Sequence, residues 1–263
     1  MSGRAFRSTV VAAVLGLSLL SVGAGRALAQ APGSGPPMPM SVDLAKVPVG
    51  GYGDYTMVFG QMPPMSMRIA LVGKSGAGNV LESSVEGGMM AQAGGKVVVQ
   101  MTLPSGKDAH PTKMVMQMGT NDPMEMPSTM ASQGRFTKPD PKKLVKSESV
   151  TVKAGTFKTK HYRDKTPQGD TFDFWVADNV PPLGLVKMTG EQNSNPMMKG
   201  PFSFELIATG KDAKPSITKP PKPYDQQALL KQMMAGHGGA GGPPAGGGAP
   251  SGATPPPAAP PKP

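Results

Sequence analysis

The sequence predicts a mainly β protein: a single antiparallel, strongly curved sheet or half-open barrel of about nine strands, with disordered N- and C-terminal segments. Three observations carry this expectation. Apolar residues recur at every second position through the middle of the chain, which is the period of a half-buried strand and not of a helix. Turn residues rich in glycine separate these runs, as hairpin connections require. No internal segment shows a helical pattern longer than two turns.

Taken in order, residues 1–29 have the three parts of a secretory signal peptide. Arg4 and Arg7 form a basic start. Residues 10–22 are apolar except for Gly16, Ser18 and Ser21, and Ala27-Leu28-Ala29 is a small-x-small cleavage site. The run falls short of the roughly 20 apolar residues that span a bilayer. The expected location is therefore secreted or periplasmic, with no transmembrane segment after cleavage. Residues 30–40 read as a Pro/Gly linker. The β domain is expected over 41–212. Within it Tyr55, Met57 and Phe59 alternate with Asp54, Thr56 and Val58, and Met65, Met67, Ile69 and Leu71 share a face opposite Ser66 and Arg68. Further runs follow at 79–86, 96–103, 114–118, 170–177, 183–192 and 202–210. Residues 138–149 read as an exposed basic loop.

The clearest hairpin is SVTVKAGTFKTKHYR, residues 149–163. A two-residue Ala154-Gly155 loop would pair Lys153 with Thr156 and set Val152 against Phe157 and Val150 against Thr159. Val150, Val152 and Phe157 then face the core, and Ser149, Thr151, Lys158 and Lys160 face water. Glu148 would lie opposite His161. Beyond the domain, residues 213–224 read as an extended Pro/Lys linker, 225–234 as a short helix capped by Asp225, and 235–263 as a disordered Gly/Pro/Ala tail.

The chemistry-bearing residues exclude more than they offer. The 263 residues contain no cysteine, so thiol catalysis, cysteine zinc sites and iron–sulfur clusters are ruled out. Removing Arg4, Arg7 and Arg26 with the leader takes the formal charge from +10 to about +7, an excess that favours an anionic envelope surface without indicating nucleic acid. The lysines at 153, 158, 160 and 165 could meet lipid headgroups, but charges that solubilise and protect a sheet surface are the commoner use of such a stripe. LVGKSGAGN at 71–79 lacks the first glycine of a phosphate loop, because Arg68 holds that position; it reads as a hairpin turn. His110, His161 and His237 have no metal-ligand or triad spacing.

Methionine is the anomaly, at 21 residues. Three readings stay open. Methionines at strand period are core filler. They can equally line an adaptable apolar groove, for which Met67, Met114, Met116, Met118 and Trp175 are the candidate lining. Or thioethers hold Cu(I), for which the methionines read as lying off strands, Met62, Met65, Met124 and Met126, are the candidates.

The stretch from 148 to 188 adds a resemblance. ESVTVKAGTFKTKHYR followed by DFWVADNVPPLGLVKM is similar to a pattern in uncharacterised exported bacterial proteins, which pair a Val-x-Val-x-Ala-Gly-x-Phe hairpin with a tryptophan strand ending in Pro-x-Gly-Leu-Val-Lys. Their sheet resembles the half-open β-barrel of periplasmic lipoprotein carriers, and the resemblance implies an envelope protein that binds lipid. The sequence thus points to a non-enzymatic exported protein without a cofactor, binding a hydrophobic or lipid-like ligand. The alternatives are a periplasmic Cu(I)-binding protein and a structural envelope module whose tail reaches a partner.

Overall fold

A computed structural model describes residues 38–88, 95–104, 110–127, 129, 136–165, 169–193 and 199–227. The expected signal peptide, the tail at 235–263, His237 and the methionine pairs at 89–90, 197–198 and 233–234 lie outside the described residues. The chain divides into two compact units after Asp225. The second is described only at Gln226 and Gln227, which are helical; the rest of the expected 225–234 helix lies outside the described residues.

Among the described residues the first unit holds thirteen strands. These are β1 (Met38–Pro39), β2 (Tyr52–Phe59), β3 (Met65–Ser75), β4 (Gly78–Gly87), β5 (Val97–Leu103), β6 (Lys113–Met118) and β7 (Met124–Glu125). They continue with β8 (Phe136–Thr137), β9 (Leu144–Val152), β10 (Gly155–Lys165), β11 (Thr171–Val176), β12 (Leu185–Gln192) and β13 (Gly200–Gly210). Eleven form one antiparallel sheet in the order β7-β6-β5-β4-β3-β2-β13-β12-β11-β10-β9, and β1 pairs with β8 in a separate parallel ribbon. The sheet is not closed into a barrel. Two meanders, β2–β7 and β9–β13, are joined at the centre where β2 pairs with β13.

Alternation sets the faces. Tyr55, Met57 and Phe59 of β2 are buried while Asp54, Thr56 and Val58 are half-buried. Register carries that face across the sheet, through Phe174, Met188, Phe204, Met57 and Met65 in one row. Phe59 lies 6.1 Å from Phe202, stacked, and 5.7 Å from Phe204, edge-on; such ring pairs add about 0.5–1.5 kcal/mol beyond area burial. Loop residues Leu44, Val47, Val180 and Leu183 complete this core, and Met38, Met40 and Phe136 of the β1–β8 ribbon region pack against it. LVGKSGAGN is a hairpin turn, with Ser75 paired to Gly78 at its base.

The β9–β10 hairpin differs in register from expectation. Val152 pairs with Gly155, Val150 with Phe157 and Glu148 with Thr159, so the turn is at Lys153-Ala154. Gly155, just after the two turn residues, takes φ +133°, a backbone conformation open to glycine. The shift is two residues, so every side chain keeps its face. Val152 is buried, with Val150 and Phe157 packed on the core, and Thr151, Ser149, Lys158 and Lys160 are exposed. The tip turns back on the sheet, where Ala154 N–H donates to Leu206 O at 3.3 Å.

Two further segments depart from expectation. Residues 144–149 are not loop but the start of edge strand β9, preceded by a 3-10 turn at Pro141–Lys143. Lysines and exposed positions are what an unpaired edge carries, which is why the segment resembled a loop. Residues 213–224, read from the sequence as a linker, are bound along the sheet and do not hang free. Ile217 packs on Val98 and Val115 on the outer face. Ser216 N–H donates to both carboxylate oxygens of buried Glu82, at 2.9 and 3.1 Å. Lys222 then bridges to Met124 beside the β7 edge, and Tyr224 reaches the core face. The strap wraps one edge of the sheet.

Candidate functional site

The core face changes character along the sheet. In β10, β11, β13 and β2 it is lined by Tyr55, Phe59, Tyr162, Phe172, Phe174, Phe202 and Phe204, all buried. Strands β3 to β7 contain no aromatic residue. There the same face carries methionine, valine and leucine, and much of it is half-buried.

Its most open row runs Met67, Val85, Val97, Met118, directly paired across β3, β4, β5 and β6. All four are half-buried. At about 4.8 Å per strand the row spans about 14 Å. The next row is Ile69, Ser83, Val99, Met116, Met124, and Met62 and Met65 flank the first. The first row is half-buried, whereas Ile69 and Met124 of the second are buried.

Of the five candidate lining residues, Met67, Met114, Met116 and Met118 share this face. Met116 and Met118 are half-buried beside Met67's row, whereas Met114 is buried beneath, against Met101 and Met126. Trp175 is elsewhere. It alternates with buried Phe174 and so takes the opposite face of β11, in the row Thr56, Glu205, Lys187, Trp175, His161. The parity of DTFDFWVA carries this information, since Phe172 and Phe174 together outweigh one tryptophan.

The four candidate Cu(I) ligands do not meet. Met65 is in β3 and Met124 in β7, four strand spacings away, or about 19 Å along the sheet. Met62 and Met126 lie off the strands as expected, but Met65 and Met124 are strand residues; Met124 and Met126 are buried, and Met124 Sδ accepts from Asp225 N–H at 3.4 Å. Strand pairing separates the two sequence clusters.

Around Trp175 the hairpin builds a polar cluster that spacing did not reveal. The His161 ring is buried and stacks on the indole at 4.4 Å. His161 Nε2 is 2.6 Å from Asp173 Oδ1, and Nδ1 faces Glu148 Oε1 at 3.3 Å without hydrogen-bond geometry. Trp175 Nε1–H donates to Glu148 Oε1 at 2.9 Å, and Lys146 reaches the other oxygen at 2.9 Å. The indole first, then Lys146, holds the Glu148 carboxyl below its usual value of 4.5. Both imidazole nitrogens face carboxylates, so neither is presented to a substrate. The expected Glu148–His161 pairing survives as a diagonal contact, with Lys146 directly opposite His161. Among the described residues no group of three or more His, Asp or Glu could hold a metal, and no helix is long and apolar enough to cross a membrane.

No family model matches the chain, and no curated protein sequence matches it significantly. Among solved structures the chain is similar to a hypothetical protein from Chlamydia trachomatis, with a TM-score of 0.42 and 11% identity over 68% of this chain and 96% of that one. It is also similar to a candidate exported protein with a YmcC-like fold from Bacteroides fragilis, with a TM-score of 0.29 and 14% identity over 63% of this chain and 98% of that one. A third is a candidate lipoprotein from Parabacteroides distasonis, with a TM-score of 0.28 and 14% identity over 62% of this chain and 97% of that one.

Proposed function

We propose that the protein is exported and binds a hydrophobic, lipid-like ligand on the methionine half of its core face, without catalysing a reaction. The observation that supports this reading is the half-buried row Met67, Val85, Val97, Met118 on a sheet that stays open. Methionine side chains adapt to varied apolar shapes, which suits an acyl chain better than a rigid ring system. The basic excess is compatible with work at an anionic envelope surface.

Two measurements test it. Residues 1–40 fused to a reporter that works only beyond the inner membrane should give activity, and a cytoplasmic fusion product would end the export reading. The full chain should carry solvent-extractable lipid and bind a fluorescent polyene fatty acid. Met67→Lys and Met118→Lys should weaken that binding at least tenfold while leaving the circular dichroism unchanged. Absence of both lipid and fatty-acid binding, or binding indifferent to both substitutions, would overturn the ligand reading.

A further inference from the structure

Deeper in the same half of the sheet, the methionines regroup in a way their sequence positions conceal. Met101 of β5 is paired directly with Met114 of β6, and Met126 donates its backbone N–H to Met114 O at 2.8 Å. One step along, Met116 pairs with Met124. Met101, Met114 and Met126 are 8%, 3% and 5% exposed and make a contact cluster of their own, separate from the main core. Phe136 and Tyr224 pack against it.

We propose that Met101, Met114 and Met126 form a binding site for one soft monovalent cation, Cu(I). Facing residues on paired strands have Cβ atoms about 4.5–5.5 Å apart, and three rotatable bonds let each thioether turn toward a common point. Three neutral sulfurs in a site closed to water select Cu(I) over hard cations, which need oxygen ligands. The aromatic rings of Phe136 and Tyr224 offer negatively polarised faces, the one kind of electrostatic support that an uncharged pocket can give a cation. Binding is simple coordination by sulfur lone pairs. It releases no proton, so uptake is independent of pH wherever the protein is folded, unlike a site using imidazole or carboxylate.

Tyr224 arrives with the C-terminal strap and Phe136 with the β1–β8 ribbon. Two segments distant in sequence therefore close the site, and metal that binds only the closed form must raise the melting temperature.

The test titrates full-length protein with Cu(I) under a reductant against a chromogenic chelator, and in parallel with Ag(I). One equivalent should bind, with the same affinity at pH 5 and pH 7.5. Met114→Leu and Met126→Leu, volume-conserving changes that cores tolerate best, should each weaken binding at least tenfold. Met62→Leu with Met65→Leu should leave it unchanged. A second readout needs no variant: with methyl-labelled methionine, Ag(I) should shift the resonances of Met101, Met114 and Met126 selectively. No uptake, affinity that falls between pH 7.5 and 5, uptake unaffected at 114 and 126, or shifts spread over all methionines would each overturn the site. None of these outcomes depends on fatty-acid binding, so the two readings fail separately.

Discussion

The two meanders of this sheet are filled by different hydrophobes, and they should behave as different materials. The β9–β13 meander, with β2, packs rigid rings against one another. The β3–β7 half packs thioethers and aliphatic chains, leaves a row half-exposed, and relies on a strap to hold its edge. A face of rings has few rotamers and tolerates little change in shape. Methionines re-pack at small cost. One face thus combines a stiff half with a yielding one.

Four experiments test that contrast, beginning with the largest effect. Gly190 lies between Phe172 and Phe202 on adjacent strands, and a Cβ there would sit 2.1 Å from Thr171 O and 2.8 Å from the Phe202 ring. Gly190→Ala should cost more than about 3 kcal/mol, comparable to the roughly 3–5 kcal/mol expected for Phe204→Ala. In the other half, Gly73→Ala meets only Val80 at 3.6 Å and should change stability by less than about 1 kcal/mol. Urea midpoints of the pair measure the contrast directly, and equal losses would remove it.

Truncation after Asp212 comes next. It deletes the buried Ile217 and strips buried Glu82 of the Ser216 N–H. A loss of about 3–6 kcal/mol is expected, from roughly 1.5–3 for the side chain plus roughly 1.5–3 for the hydrogen bond to a charged group. Hydrogen exchange should localise the loosening to β4–β7. Uniform loosening would mean that the two halves are one cooperative block.

Met116→Ala should cost about 1–2 kcal/mol, because a half-buried methionine has less to lose than the roughly 2–5 kcal/mol of a fully buried one. A calorimetric loss as large as that of Phe204→Ala would show the methionine half to be as tightly packed as the aromatic one.

The smallest effect is a titration. Glu148 has its folded-state pKa depressed below 4.5 by the Trp175 indole and Lys146. Its stabilising contribution is therefore complete above the usual carboxylate range and is lost as pH falls through the lower folded value. Since Trp175 is the only tryptophan, its fluorescence reports that protonation cleanly, with a midpoint below 4.5 in the wild type and no such step in Glu148→Gln. A midpoint at or above 4.5 would contradict the contact.

What could be read from the sequence was whatever alternation alone encodes. The core faces of β2, β3 and the β9–β10 hairpin follow from period-two spacing, and survived a two-residue register error because parity was unchanged. What could not be read depended on which strand lies beside which. Met101, Met114 and Met126 come together only because β5, β6 and β7 pair, while Met65 and Met124 are parted by the same order. The strap was obscured for another reason: in a Pro/Lys-rich segment a single apolar anchor, Ile217, leaves no period to detect. His161 and Asp173 were set side by side by the β10–β11 register, which no spacing rule supplies.

The seam between β2 and β13 carries a consequence for how the molecule comes into being. Each meander is a chain of local hairpins that can zip as it emerges, but Phe59 must wait for Phe202. Closing so long a loop costs entropy before any contact repays it, and pairings of this separation are slow steps in folding. Until the final strand of the sheet is available, the two meanders are unjoined, each with an uncovered central edge. A chain with that order of assembly cannot complete its sheet until its last strand has been made.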